Sequence, residues 1–237
     1  MSSTTTVRKL WRPHLRGVDR LLLISGSAVV QRVPQHRAVI DAAAAAGVGF
    51  VAYTSFLHAD TAEIIAVAPE HQETERLLAQ APFAVALIRN GWYTENCEDA
   101  AKQAVTNGVL VGSAGDGRIA SATRKDYAEA AAAVLTADEA EGGTYDLSGD
   151  NPWTLSDLVE LITDASNGSV QLKNVSAAAH RQILSDAGVP TAAVDFLVST
   201  DQAIADGELD NPTPGQLSRL IGRPTTPLSE VVAAWFN

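Results

Sequence analysis

Three short segments bring together residue types suited to holding a flat, polar ligand. The first, Leu21-Leu-Leu-Ile-Ser-Gly-Ser27, is an apolar run that stops in small polar residues. The second, Tyr53-Thr-Ser-Phe-Leu-His-Ala-Asp60, places two hydroxyls, Thr54 and Ser55, at the end of another apolar run, followed by His58. The third, Arg89-Asn-Gly-Trp-Tyr-Thr-Glu-Asn96, offers aromatic faces, amide groups and a carboxylate in one loop. Small hydroxyl and glycine residues at the carboxyl end of a parallel strand leave room for a nucleotide. Trp92 and Tyr93 supply faces on which a conjugated ring stacks. Each segment also has a plainer reading: an ordinary strand end, a polar loop histidine, a loop packed by its own aromatics. Their convergence carries more weight, because all three follow an apolar run and leave the same sheet edge.

The elements that must position them are legible from periodicity. Val18 to Ile24, Val48 to Thr54 and Phe83 to Arg89 are short, nearly continuous apolar runs, the pattern of strands buried on both faces. Between them, Pro34 to Ala46 reads as a helix stopped by Gly47, and Ala68 to Gln80 as a helix with Pro69 early and glutamates in its first half. Strand–helix–strand–helix–strand at this spacing predicts a parallel sheet with crossover helices. Further on, Glu95 to Asn107 and Arg124 to Leu135 read as helices. Val109 to Val111, Arg118 to Ser121, Thr144 to Leu147 and Val170 to Val175 read as extended pieces. Thr154 is placed to cap a helix running to about Ser166. The fold class is α/β, a partial Rossmann-like, doubly wound parallel sheet with a smaller, mostly helical C-terminal substrate region. The expected divisions are a lead-in over 1–14, a Rossmann-like domain over 15–148 with an excursion at 109–121, and the C-terminal region over 149–237.

Composition excludes several functions. The net charge of −11 argues against a nucleic-acid partner and against attraction to an anionic membrane. The single cysteine, Cys97, forms no internal disulfide and no zinc motif. The five histidines, His14, His36, His58, His71 and His180, show no ligand spacing, so no metal site is assigned. No apolar run approaches the roughly 20 residues of a membrane span, and Met1 to His14 lacks the apolar core of a secretory signal. The expected location is the cytoplasm.

The three segments, together with Ala68-Pro-Glu-His-Gln-Glu-Thr-Glu75, Ala114-Gly-Asp-Gly-Arg-Ile-Ala-Ser-Ala-Thr-Arg-Lys-Asp-Tyr-Ala128 and Leu220-Ile-Gly-Arg-Pro-Thr-Thr-Pro227, resemble the NmrA-like branch of atypical short-chain dehydrogenases. Within that branch the sequence resembles the bacterial NAD(P)H:quinone oxidoreductases of type 2, from about Leu15 to the C-terminus. The resemblance implies hydride transfer from NADPH or NADH, NADPH favoured, to a small-molecule quinone, with no flavin and no metal. It implies that Ser25, Gly26 and Ser27 lie along the cofactor, with Thr54 and Ser55 near the nicotinamide and its ribose. Asn90, Gly91 and Tyr93 would border nicotinamide and quinone, and Trp92, Tyr93 and Asn96 would contact the quinone. Asn90, Tyr93 and His71 are the implied catalytic residues, His71 standing where related enzymes often carry a cofactor-contacting lysine. The ordinary Tyr-x-x-x-Lys pair is absent, since Tyr53, Tyr93, Tyr127 and Tyr145 have no lysine four residues later.

One family element has no counterpart in the sequence. Members begin with a strand, a glycine-rich turn and a helix that holds the pyrophosphate. The glycine cluster at Gly112–Gly117 lies between extended pieces and reads as a turn. Several charge-assisted phosphate bonds of about 1.5–3 kcal/mol each would then be missing, enough to weaken cofactor binding on the order of a thousandfold. The strand at Leu21 to Ile24 would also lose a neighbour and present an apolar edge, which a second copy of the chain could cover. A misplaced start, a degraded gene and self-association are the three explanations. The functional alternatives are an NmrA-type protein that senses dinucleotide without turnover, and a non-functional truncated product.

Overall fold

The computed structural model describes residues 14–26, 28, 31–139, 142–210 and 215–237. The expectations for the lead-in up to residue 13 and for Ser27 lie outside the described residues. Contacts divide the chain into two compact units. The first takes the chain up to Thr61, Val67–Asn90 and Ala128–Leu147; the second takes Ala62–Ala66, Gly91–Tyr127 and Ser148–Asn237.

In the first unit, β1 (Arg20–Leu23), β2 (Phe50–Phe56), β3 (Ala84–Asn90) and β5 (Gly143–Leu147) form a four-stranded sheet in the order β1-β2-β3-β5. Every pairing is parallel, with Leu23 opposite Tyr53, Phe56 opposite Asn90 and Asn90 opposite Leu147. All seven residues of β2 are buried, which fits its mostly apolar character. The crossovers are α1 (Arg32–Ala46) and α2 (Ala68–Leu78). Helix α1 ends on Gly47, whose φ of 79° is left-handed and whose N–H, with that of Val48, closes onto Ala43 and Ala44 carbonyls. Helix α2 carries Pro69 and Glu70 in its first turn and Arg76 in its last, matching the helix dipole. Leu23, Ile40, Ala43, Val51, Tyr53 and Leu78 lie at the centre of the core between sheet and helices.

In the second unit a 3-10 turn (Thr94–Cys97) leads into α3 (Glu98–Asn107) and β4 (Val109–Gly112), which pairs in parallel with β6 (Gln171–Asn174). Helix α4 (Arg124–Thr136) begins here. Helix α5 (Leu155–Ser166) carries the expected Thr154 cap: Thr154 Oγ1 accepts the Asp157 N–H at 3.2 Å and the Asp157 carboxylate accepts the Thr154 N–H at 2.8 Å. Helices α6 (Ala177–Asp186), α7 (Thr191–Ala205), α8 (Gln216–Ile221) and α9 (Leu228–Trp235) complete it. The Gly112–Gly117 cluster is a turn, closed by Gly117 N–H to the Ala114 carbonyl at 3.0 Å. Arg118 to Ser121 is not a strand. Its hydrogen bonds are shared among three neighbours: Ile119 with Trp153, Ala120 N–H with the Leu209 carbonyl, and the Ala120 carbonyl with the Gly149 N–H. The chain runs so close that a Cβ at Gly149 would lie 2.0 Å from the Ser121 carbonyl oxygen. Glu208 holds residues 63–65 by accepting the N–H groups of Glu63, Ile64 and Ile65 at 2.9, 3.1 and 3.3 Å.

The two motifs Ala114–Ala128 and Leu220–Pro227 meet at Asp126, whose residue is fully buried. Its carboxylate accepts Arg223 Nη2 at 2.7 Å, the Thr226 N–H at 3.0 Å and the Thr226 hydroxyl at 3.1 Å. Burial opposes ionisation, but these bonds and that from Thr123 outweigh it and hold the carboxyl below its usual range. Asp126→Asn should therefore lower stability by about 2 kcal/mol at neutral pH. A depressed carboxyl contributes above its unfolded value of about 3.9 and loses that contribution as pH falls through the folded value. The gap between variant and parent should accordingly narrow as pH falls below the unfolded carboxyl value of about 3.9. Denaturant titrations at neutral pH and below that value check this, and equal midpoints at neutral pH would refute it.

Candidate functional site

The carboxyl edge of the first unit's sheet is built around the polar end of β2. Because β2 is buried along its length, each polar atom it brings inside needs a partner. The Tyr53 hydroxyl lies 2.8 Å from His71 Nδ1. Thr54 Oγ1 accepts the Ser25 N–H at 2.8 Å and directs its own proton toward Ser25 Oγ at 3.4 Å. The Ser55 hydroxyl donates to Glu75 Oε1 at 2.5 Å. Glu75 also accepts Arg89 Nε at 3.0 Å and Nη2 at 2.7 Å, a two-point grip. Arg89 Nη1 faces Asp60 at 2.9 Å and Asp146 at 3.7 Å. Burial disfavours the guanidinium cation, but Glu75 and Asp60 outweigh it and raise Arg89 above its ordinary value. Asn90 ends β3 and is buried beside this cluster, opposite Phe56 and Leu147 in register.

The turn after β1 is held from three sides. Besides Ser25 on Thr54, the Gly26 N–H donates to His36 Nε2 at 3.1 Å, and Arg32 Nε donates to the Gly26 carbonyl at 2.6 Å. His36 Nδ1 lies 3.0 Å from Thr74 Oγ1. His36 and His71 are both buried. Burial first, then the nearby Arg32 cation, lowers His36 to about 4; burial, Arg32 and His36 lower His71 to about 3. Burial likewise pushes the Tyr53 phenol well above its ordinary value. His71 is therefore a neutral hydrogen-bonding group at physiological pH, with no proton to spare as an acid.

In the second unit the loop after β3 is rigidly framed. The Trp92 carbonyl accepts the Ala122 N–H at 3.1 Å and the Tyr127 hydroxyl at 3.4 Å, and the Thr94 N–H donates to the Ala122 carbonyl at 3.0 Å. The Trp92 ring stacks on Phe196 with centroids 6.1 Å apart and planes at 26°. Tyr93 lies 5.3 Å from the Tyr127 ring, with the Arg124 guanidinium 5.3 Å from its own centroid. Arg124 Nη2 also donates to Asn96 Oδ1 at 2.8 Å, fixing that amide. The loop's aromatics are thus packed against rings from helices α4 and α7, while Trp92, Tyr93 and Asn96 share one short stretch of chain.

Sequence reading passed over His36, Arg32 and the Glu75–Arg89 grip. A histidine two residues after Pro34 on an apolar helix, and an arginine inside an apolar strand, were the available signals. It also passed over Ser113, His180 and Asp201, which cluster with Ser113 Oγ 3.0 Å and Asp201 Oδ2 3.1 Å from His180 Nδ1. A nucleophilic triad engages opposite imidazole nitrogens. Here both partners share one nitrogen, so the cluster is a structural pin. Cys97 is raised to about 12, by burial first, and is no nucleophile at neutral pH. Among the described residues no group of three acidic, cysteine or histidine side chains is placed to hold a metal, and no helix is long and apolar enough to cross a membrane.

A parallel sheet with neutral hydroxyl and amide residues at its carboxyl edge defines a Rossmann-like α/β protein of the dinucleotide-using kind. No family model matches the chain. Quinone oxidoreductase 2 of Escherichia coli strain K12 is 49% identical over 225 residues, covering 94% of this chain and 77% of that protein. An NmrA-like family domain-containing oxidoreductase of Aspergillus flavus is 29% identical over 229 residues, covering 92% of this chain and 73% of that one. Among solved structures, the Escherichia coli NADPH-dependent quinone oxidoreductase complexed with NADPH superposes with a TM-score of 0.92 at 46% identity, over 99% of this chain and 81% of that one. The Citrobacter triphenylmethane reductase complexed with NADP(H) gives 0.87 at 32% identity, over 99% and 81%. The chain belongs to the NmrA-like oxidoreductase family, in the branch of the bacterial quinone oxidoreductases of type 2.

The buried imidazoles make stability depend on pH. Both histidines have folded values below the unfolded value of about 6.5, so the unfolded chain takes up protons first. Their contribution is complete above about pH 6.5 and is lost as pH falls toward 4 for His36 and 3 for His71. The loss is up to about 1.4 kcal/mol per pH unit for each. Unfolding midpoints should drop steadily from about pH 7 to about pH 5, and His71→Gln should flatten the slope. A pH-independent midpoint over that range would refute this.

Proposed function

We propose that the chain passes hydride from NADPH to a quinone held against the nicotinamide, without flavin. The observation that carries this reading is the match, over 99% of the chain, to an NADPH-complexed quinone oxidoreductase at 46% identity. The residues on the sheet edge fit the nicotinamide–ribose half of such a cofactor. Ser25 Oγ accepts from Thr54 and keeps its own proton for a ligand hydroxyl or carboxamide. Ser25, Gly26, Ser27, Thr54, Ser55, Asn90 and Gly91 are the proposed cofactor contacts; Trp92, Tyr93 and Asn96 are the proposed quinone contacts. Asn90 and Tyr93 orient the reactants, and His71 supports them as a neutral partner of Tyr53. Bound NADPH supplies the hydride.

A quinone accepts hydride readily once it is oriented, so the site needs alignment more than a strong acid. That agrees with the absent Tyr-x-x-x-Lys pair and with a Tyr53 phenol that is buried and tied to His71. It also favours a second acceptor class: the 32% identity to triphenylmethane reductase points to cationic triarylmethane dyes, whose central carbon takes hydride with no proton at all. A dinucleotide sensor would bind the cofactor tightly and turn nothing over.

The test is a fluorescence titration of the purified 237-residue chain with NADPH and NADH, followed by addition of a quinone. Quinone-dependent oxidation at micromolar cofactor supports the reading. Oxidation only when a strand, glycine-rich turn and helix are joined ahead of Leu15 assigns phosphate binding to that element. Binding without turnover of any acceptor would overturn the enzyme reading in favour of the sensor. In the active form, Tyr53→Phe should cost about 1 kcal/mol of stability and leave kcat within about threefold. A fall of about a hundredfold would mark Tyr53 as a general acid.

A further inference from the structure

The turn at Ser25–Gly26 makes unusual use of side chains. Its two N–H groups and the Gly26 carbonyl are taken by Thr54, His36 and Arg32. None of these backbone groups is left to reach a ligand, so the turn presents its Ser25 hydroxyl and the bare Cα of Gly26. We propose that His36, as a neutral imidazole bearing its lone pair on Nε2, is the positioning residue that fixes this turn and thereby sets cofactor affinity. The proposal rests on the reading above that Ser25 and Gly26 border the cofactor.

The geometry determines the tautomer. The Thr74 hydroxyl donates to the Glu70 carbonyl at 2.8 Å, so at 3.0 Å from His36 its oxygen must accept. The proton of His36 therefore sits on Nδ1, and Nε2 carries the lone pair that receives the Gly26 N–H. Thr74 thus selects, through the far side of the ring, the form that can hold the turn.

The surroundings keep that form neutral. Arg32 projects from the same helix, and Glu70, Thr74 and His71 from α2. Tyr53 from β2 meets the imidazole edge-on with centroids 5.5 Å apart at 74°. Arg32 lies 3.4 Å from Glu70 and stands as a cation against any second positive charge. A proton added at Nε2 would replace an acceptor with a donor facing another donor. Of the three grips on the turn, only this one reverses sign on protonation.

The experiment compares His36→Phe, which keeps a flat ring but removes the acceptor, with His36→Gln, whose side-chain carbonyl can accept in its place. His36→Phe should speed hydrogen exchange of the Gly26 amide at least about tenfold and weaken NADPH binding about tenfold. It should leave kcat at saturating NADPH within about threefold. His36→Gln should restore both exchange and affinity to within about threefold of the parent. Unchanged Gly26 exchange in His36→Phe, or equal losses in both variants, would overturn the proposal. So would an Nε2–H tautomer read from imidazole nitrogen shifts of the unsubstituted protein, whether or not the variants fold. If the protein binds no NADPH either as it stands or with the glycine-rich element joined ahead of Leu15, the cofactor reading falls and takes the affinity claim with it, while Gly26 exchange still decides whether His36 fixes the turn.

Discussion

The constraint on which the first unit depends is the complete burial of a strand that is not completely apolar. β2 carries Tyr53, Thr54 and Ser55 into an interior where an unpaired hydroxyl costs about 1–3 kcal/mol. Satisfying them dictates what surrounds them. Tyr53 requires His71, Thr54 captures the turn after β1, and Ser55 requires Glu75, which in turn neutralises Arg89. The arrangement of the sheet's carboxyl edge is thus a by-product of satisfying polar groups inside the core, and the same bonds hold it in place.

Much of this was legible beforehand. The three parallel strands, their crossover helices, the Gly47 stop, the Thr154 cap and the Gly112–Gly117 turn all follow from local rules of period, capping and turn chemistry, and each is found within a few residues of its expected place. Arg118 to Ser121 departs because its hydrogen bonds go to three partners far apart in sequence, which no local pattern encodes. The site divides the same way. Ser25, Gly26, Thr54, Ser55 and Asn90, the proposed cofactor contacts, lie at strand ends that a local signal of small polar residues could locate. The partners of His36, Thr74 and Glu75 could not be assigned, since they depend on the register of helices against the sheet.

The charged groups show why burial and function should be weighed separately. Arg89 and Asp126 are both buried and held by several partners, yet their work is structural: Arg89 ties together the Glu75 and Asp60 carboxylates, and Asp126 holds Arg223 and the Thr226 backbone. Asp126 joins the motif ending in Ala128 to the motif Leu220–Pro227: one supplies a carboxylate, the other its donors.

The interleaving of the two units also sets an order of assembly at the ribosome. The described part of the first unit has all its residues once Leu147 has been synthesised. The second unit begins with residues 62–66, but the carboxylate that gathers them belongs to Glu208, and the donors for Asp126 arrive only with Arg223 and Thr226. Through the last third of translation the nascent chain therefore carries one unit able to close and another waiting for its fasteners, and that interval is when its apolar surfaces most need protection from neighbouring chains.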